Sequence, residues 1–153
     1  MKFREKNIEV QPKVNDNFDF SLNSVSLTNL DEWHFGTDKK TADRLFDLVK
    51  LGRKTATSYL YEENNFHDDT NKYSILTNWD KSSRILLNTI SIKVVAFKDV
   101  LPEHAYKEGE DDRTIKSWKR IHEKFFTKIL QEKGQPFSPD IKVVCEEFKI
   151  IKY

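Results

Sequence analysis

Apolar residues recur at helical spacing in residues 37–52. Four of them fall on one helical face: Ala42, Leu45, Phe46 and Val49. Thr37 or Asp38 can cap the beginning of this helix, because a short polar side chain there accepts a free backbone N–H. Gly52 can end the helix with a positive φ. The pattern therefore predicts an amphipathic helix that packs one face on a core.

A second and longer helical pattern covers residues 111–134. Its apolar stripe is made of Ile115, Trp118, His122, Phe125 and Ile129, widened by Ile121 and Phe126. Asp111 or Asp112 is the expected cap, and Gly134 is the expected stop. His122 lies on the apolar stripe, which favours a packed histidine.

Four segments rich in β-branched and aromatic residues read as strands: residues 55–61, 72–79, 83–100 and 141–151. The third is long enough to bend. The predicted order is a helix, several strands, a long helix and a closing strand. This order favours the α+β class over a doubly wound parallel sheet.

The length of 153 residues suggests one domain. Residues 1–30 carry no clear periodicity, and their segment "SLNSVSLTNL" suits either an edge strand or a loosely docked arm. We therefore expect an N-terminal arm of uncertain structure over residues 1–30 and a folded domain over residues 31–153.

The charge balance limits the possible partners. The chain has 26 basic and 25 acidic residues and a net charge of +1, so any contact with RNA must be local. The single cysteine, Cys145, lies in an apolar run, which predicts a buried thiol and suits a reducing compartment. No apolar run reaches membrane-spanning length and no secretory segment opens the chain, so we expect a cytoplasmic protein without membrane contact.

The stretch "LGRKTATSYLY" places two cations at a helix-to-strand corner, beside several hydroxyls. The simplest interpretation is a solvated turn in which the cations face the carbonyl end of the helix. The alternative is a site. Lys54 and Thr57 would point to opposite faces of a regular strand, so they converge only if Lys54 lies in the bend before pairing starts. A lysine partly desolvated in such a bend can act as a general base.

Acidic residues crowd the stretch before the long helix. Asp111 and Asp112 suit capping, whereas Glu108 and Glu110 flank Gly109 and are freer to point into a cleft. A carboxylate paired with a buried lysine is a workable acid/base couple. The histidines are scattered without ligand spacing: His34, His67, His104 and His122. We therefore expect no metal and no cofactor.

Three segments, in this order, carry a resemblance to a known family. They are "EWHFGTDKKTADRLFDLVKLGRKTATSYL", "EGEDDRTIKSWKRIHEKFF" and "VVCEEFKII". Together they resemble ASCH domains, a branch related to PUA domains, over about residues 32–153. The resemblance implies a PUA-like small β-barrel of about five to six strands with flanking helices and a cleft beside the barrel.

The resemblance also implies a function directed at RNA or a modified nucleoside. One branch of the family removes acetyl from the exocyclic nitrogen of acetylcytidine, and another is reported to cleave single-stranded RNA. The matching catalytic positions are Lys54, Thr57 and Glu110, with Glu108 as an alternative to Glu110. A non-catalytic RNA- or nucleotide-binding module remains the competing interpretation. The oligomeric state is left open.

Further residues are expected to bind the substrate. Arg53 would contact a phosphate or carbonyl at the rim, and backbone N–H groups near Thr55 would stabilise an oxyanion. Tyr59, Tyr61 or Trp79 would stack on a base. Glu108 completes the set of expected substrate contacts.

Overall fold

The computed structural model describes residues 2–3 and 30–152 of the chain. Within them it has six strands: β1 (Lys2–Phe3), β2 (Glu32–Phe35), β3 (Ala56–Leu60), β4 (Tyr73–Thr77), β5 (Arg84–Ala96) and β6 (Lys142–Lys152). It also has three α-helices: α1 (Lys39–Lys50), α2 (Pro102–Glu108) and α3 (Ile115–Glu132). Short 3-10 turns occupy Glu63–Asn65 and Phe97–Asp99. The predicted α+β class is confirmed.

The strands form one curled sheet in the order β1-β2-β4-β5-β6-β3. β2 runs parallel to β4, and the other described pairs are antiparallel. The pairing of β5 with β6 is irregular at Leu86/Leu87 and at Thr89/Ser91, which bends the long strands. The edge strands β1 and β3 approach one another, so the sheet curls into an open barrel.

One apolar cluster joins α1 to a face of the sheet. Its buried members are Trp33, Phe35, Leu45, Phe46, Val49, Leu76, Ile85, Leu87 and Phe148. The face of α1 predicted from the sequence is the buried one. Asp38 is the N-cap, with its side chain accepting from the Thr41 N–H, and Gly52 has a φ of 73° beyond the helix end. The predicted beginning and end of this helix are confirmed.

A second cluster lies between the helices α2 and α3 and the opposite face of the sheet. Its buried members are Phe97, Val100, Ala105, Trp118, Phe126, Val143 and Cys145. Trp118 and His122 are buried as predicted, but Phe126 and Leu130 are more deeply buried than Phe125 and Ile129. The contact face of α3 is therefore rotated slightly from the predicted stripe.

The predicted cap of the long helix is wrong. Thr114 is the N-cap, and its side chain accepts from the Ser117 N–H. Asp111 and Arg113 have positive φ values of 49° and 65°, which the regular start of a helix does not allow. Asp112 instead accepts hydrogen bonds from the N–H and hydroxyl of Thr114, so it stabilises the turn that leads into α3.

Two short elements were not predicted, namely β2 and α2. Four and seven residues are too few to show a clear period in the sequence. The predicted N-terminal arm, residues 1–30, lies almost entirely outside the described residues. None of the helices that the structure describes has the length and apolar character needed to cross a membrane.

Candidate functional site

The corner between α1 and β3 delivers Lys54 to the interior of the domain. After Gly52 turns the chain, the N–H groups of Arg53 and Lys54 both donate to the Leu48 carbonyl at 3.0 Å. Regular pairing of β3 with β6 begins only at Ala56. Lys54 therefore lies in the bend before the strand. At this position the direction of its side chain is not set by the alternation of side chains along β3.

Two carboxylates surround the Lys54 ammonium, and its side chain has no solvent exposure. Its Nζ donates to Oε1 of Glu110 at 2.9 Å and to the backbone carbonyl of Glu108 at 3.3 Å. Oε1 of the Glu108 side chain is 3.9 Å away. The Phe35 ring closes one side, with its centroid 5.1 Å from Nζ. The sequence-predicted couple of a buried lysine with a carboxylate is thus formed, and both candidate glutamates take part.

Glu110 is the carboxylate that reaches the surface. It lies in the loop after α2, and 13% of its side chain is exposed. Arg44, on α1, approaches its other oxygen at 3.7 Å. Burial raises the pKa of Glu110, but the charges of Lys54 and of other nearby positive groups together outweigh burial, so the pKa lies below its usual value. Arg44 is not predicted from the sequence, because a polar position on an amphipathic helix carries no separate signal.

Glu108 is the buried carboxylate. It ends α2, and its Oε2 accepts from Nε1 of Trp118 and lies 3.1 Å from Nε2 of His122. Burial raises the pKa of Glu108, yet the charges of His122 and Lys54 together hold it well below its usual value. Among the residues that the structure describes, Oε1 of Glu108 has no hydrogen-bond partner. The site thus contains an ionised carboxylate with one satisfied and one unsatisfied oxygen.

Trp118 and His122 form the wall behind Glu108. They lie four residues apart on α3, and their rings stack with centroids 4.2 Å apart. Nδ1 of His122 is 2.9 Å from the Trp118 carbonyl, so both ring nitrogens face oxygen acceptors. The apolar stripe of α3 predicts that His122 is a packed residue. Its burial is confirmed, and the spacing of Trp118 and His122 was the signal that could have linked them to the site.

The loop after α2 is attached to the corner by backbone contacts. Arg53 donates from Nε to the Gly109 carbonyl at 2.8 Å and from a terminal nitrogen to the Asp111 carbonyl at 2.9 Å. Gly109 has a φ of 70°, and a Cβ there would lie 2.2 Å from the Arg53 carbonyl oxygen. The expected rim cation therefore holds the loop that carries Glu110.

The remaining predicted residues lie along β3. Thr57 is fully buried and pairs across the sheet with Glu146, whose carboxyl accepts from the Thr89 hydroxyl at 2.9 Å. Tyr59 is half-buried on the same face of the strand. The N–H of Thr55 donates to the Lys107 carbonyl at 2.8 Å, so that group is already occupied.

The neighbouring Ser58 and Cys145 face the helices. Ser58 lies 2.8 Å from Nε2 of His104, and burial lowers the pKa of that histidine. Burial, followed by the nearby charge of Glu108, raises the pKa of the Cys145 thiol to about 12. The expectation of a buried cysteine is confirmed, and its thiol stays protonated.

A curled sheet with helices on both faces and a buried charge cluster at one helix-to-strand corner defines a PUA-like α+β domain. The family model of the ASCH domain matches residues 31–152, so the chain belongs to the ASCH domain family.

Solved structures agree with this assignment. An ASCH domain from Lactobacillus crispatus JV V101 superposes with a TM-score of 0.75 at 25% identity, covering 80% of this chain and 79% of that one. Protein EF3133 from Enterococcus faecalis V583 gives a TM-score of 0.72 at 27% identity, covering 80% and 76%. No curated protein matches the chain.

Proposed function

We propose that this ASCH domain binds a modified nucleoside or a short single-stranded RNA and hydrolyses an amide on the base, as in an acetylated cytidine. The family is proposed to bind RNA, which supports the choice of ligand. The observation that carries the chemistry is the 2.9 Å contact between the ammonium of Lys54, which has no solvent exposure, and the carboxylate of Glu110, which is largely buried. A buried couple of this kind can move protons without solvent.

The proton steps of this hydrolysis balance. Lys54 first passes a proton to Glu110, which leaves a neutral amine beside a carboxylic acid. The amine then takes the proton of the attacking hydroxyl, either from Thr57 or from water, as its oxygen bonds to the acyl carbon. Glu110 gives its proton to the leaving nitrogen, and the C–N bond breaks. Attack by Thr57 leaves an acyl ester that water hydrolyses, and the site returns to its starting charges.

The other contacts fix where a ligand would enter. Glu110 and Arg44 form the partly exposed side of the cluster, whereas Glu108 and Lys54 lie behind them. A nucleoside would therefore approach past Glu110, with Arg44 beside its phosphate or carbonyl groups. Tyr59, half-buried on β3, is the residue proposed to stack on the base. A small site of this kind is compatible with the net charge of +1, since it needs no long basic face.

The proposal is tested by incubating the pure protein with acetylcytidine and, separately, with short single-stranded RNA, and by following the products by mass. We expect deacetylated cytidine. Glu110→Gln keeps the shape of the side chain but can neither accept nor return a proton, so turnover should fall by about 100-fold or more. Glu123→Gln, an exposed change on α3, is the matched control and should leave turnover unchanged.

Lys54→Arg separates catalysis from binding. Arginine keeps the positive charge but does not give up its proton, so a base role predicts a ligand that binds and is not turned over. If the RNA is cleaved and acetylcytidine stays intact, the bond that the protein hydrolyses is a phosphodiester and not an amide. A ligand that wild-type protein binds and returns intact would overturn the hydrolase and leave a binding module.

A further inference from the structure

One carboxylate oxygen of Glu108 is unusual among buried polar atoms. This oxygen, Oε1, is buried and accepts no hydrogen bond from the part of the chain that the structure describes. Two basic side chains lie near it without bonding to it, since Nζ of Lys54 is 3.9 Å away and Nε2 of His104 is 4.0 Å away. An unsatisfied buried acceptor destabilises the folded state, and more so when it is charged. Such an atom calls for an explanation in the function of the protein.

The carboxylate cannot turn to relieve this cost, because its other oxygen is held. Trp118 donates to Oε2 from Nε1, and Nε2 of His122 lies 3.1 Å from the same oxygen. The His122 ring is itself fixed by its stack on Trp118 and by the contact of Nδ1 with the Trp118 carbonyl. Helix α3 therefore sets the direction in which Oε1 points.

His104 does not complete the missing bond. Its Nε2 is already engaged with the Ser58 hydroxyl at 2.8 Å. Lys54 is the other donor within reach, and its first partner is Glu110. The two carboxylates thus stand on either side of one ammonium, at 2.9 Å for Glu110 and 3.9 Å for Glu108.

We propose that Glu108 is a positioning residue. Its Oε1 accepts a hydrogen bond from the Lys54 ammonium when Glu110 turns away from Lys54 to the leaving nitrogen of the substrate. Trp118 and His122 hold the Glu108 carboxylate in the orientation that this exchange needs. The proposal rests on the proposed function. In that reaction Lys54 gains the proton of the nucleophile at the moment when Glu110 turns to the leaving nitrogen. A shift of Nζ by about 1 Å would bring it within hydrogen-bond distance of Oε1.

The exchange accounts for the arrangement of both glutamates. A fixed carboxylate that waits for a developing charge stabilises the transition state without reorganising, whereas one already bonded in the resting site would not. Glu108 does not contact the substrate in this account. Its removal should therefore slow the chemical step and leave substrate binding intact.

Glu108→Gln tests this with steady-state kinetics on the acetylated nucleoside. We expect kcat to fall by about tenfold or more while KM stays within about twofold. Glu147→Gln is the control, because Glu147 forms an ion pair with Lys107 and does not contact Lys54 or Glu108 through any ion pair. A higher KM at unchanged kcat would make Glu108 a substrate ligand and overturn the proposal, as would unchanged kinetics.

Two variants of the α3 side chains decide the same point if Glu108→Gln does not fold. Trp118→Phe removes the Nε1 donor and keeps an aromatic ring, and His122→Gln keeps a donor on a shorter, uncharged side chain. Each should lower kcat with little change in KM and should alter the pH profile of kcat. A loss of stability with kcat and its pH profile unchanged would show that these side chains only pack.

A double-mutant cycle on stability separates this proposal from the proposed function. We expect Glu108→Gln to lower the urea midpoint of the wild-type protein, and to lower it much less when Lys54→Met has already removed the ammonium. Additive midpoints would show that Glu108 and Lys54 do not interact, and would overturn the proposal whether or not a substrate is found. Coupling at this pair without any turnover of amides would overturn the proposed function, and would leave Glu108 as a partner of Lys54 in the resting fold only.

Discussion

Lys54 is a fully buried lysine whose charge is compensated by several partners. A lysine without solvent exposure needs partners for its charge, since an isolated buried ammonium costs many kcal/mol. Here two carboxylates and a backbone carbonyl surround it. Removing one partner of such a group leaves the other charges uncompensated, so the cluster tolerates little change.

Gly109 is the residue that lets the loop after α2 approach Lys54. We expect Gly109→Ala to destabilise the protein by about 3 kcal/mol or more, because a left-handed φ and a clash add together. The clash is with backbone, as the new Cβ would lie 2.2 Å from the Arg53 carbonyl oxygen. Unfolding in urea measures the loss.

Gly52→Ala is the matched control for this change. Gly52 has a similar φ of 73°, but no atom lies within 4 Å of a Cβ built there. Its substitution should cost only the conformational term, about 1–2 kcal/mol. Equal losses for the two alanine variants would mean that the contact between Gly109 and Arg53 does not constrain the loop.

Among the elements, α3 links the core to the site, and Trp118 is the side chain that does so. Its ring packs against Phe97, with centroids 5.3 Å apart, and its Nε1 donates to Glu108. Trp118→Ala should lower the free energy of unfolding by about 3–5 kcal/mol, since it leaves a cavity and an unpaired carboxylate. Lys124→Ala, exposed on the same helix, should change it by about 0.5 kcal/mol or less. A loss below about 1 kcal/mol for Trp118→Ala would contradict this packing.

The long amphipathic elements could be predicted from the sequence, and the short ones could not. The buried face of α1 follows from the spacing of Leu45, Phe46 and Val49, which tertiary contacts then use without change. The cap of α3 could not be predicted, because Asp112 and Thr114 are both good caps. Only the positive φ values before the helix decide for Thr114.

Part of the candidate site could be predicted from the sequence for a related reason. The bend position of Lys54 follows from local rules, since Gly52 must turn the chain before β3 can pair. The choice between Glu108 and Glu110 did not follow, because it depends on how α2 docks. Since α2 was not predicted, its last residue could not be placed, and the structure brings both carboxylates to the same ammonium.

For the whole molecule, the net charge is only +1, yet the interior contains charged groups of both signs. Lys54, Glu108 and Glu110 lie between the two apolar clusters, at the junction of α1, α2 and β3. Their mutual contacts replace the water that each charge lost on burial. Stability should therefore depend on pH through a few buried groups, even though most charged residues are on the surface.

Acid should destabilise the protein in two separable windows. A group whose pKa is lowered by folding binds fewer protons when folded, so its contribution is lost as pH falls below its unfolded pKa. For His104, lowered mainly by burial, the loss begins near pH 6.5. For Glu108, where the charges of His122 and Lys54 together outweigh burial, and for Glu110, where Lys54 and other positive groups do so, the loss begins near pH 4.5 and continues below it.

Glu110→Gln tests this assignment by removing one of the two groups in the lower window. The free energy of unfolding in urea would be measured at about pH 7, 5 and 3.5. Wild type and variant should run parallel from pH 7 to 5, where Glu110 is ionised in both folded and unfolded chains. From pH 5 to 3.5 the variant should lose less stability than wild type. Glu108, together with the surface aspartates whose pKa values are also lowered by hydrogen bonds, should supply the slope that remains. His104→Gln should do the reverse and flatten only the upper window. A Glu110→Gln variant that keeps the full wild-type slope below pH 5 would show that the ion pair with Lys54 does not contribute to folding.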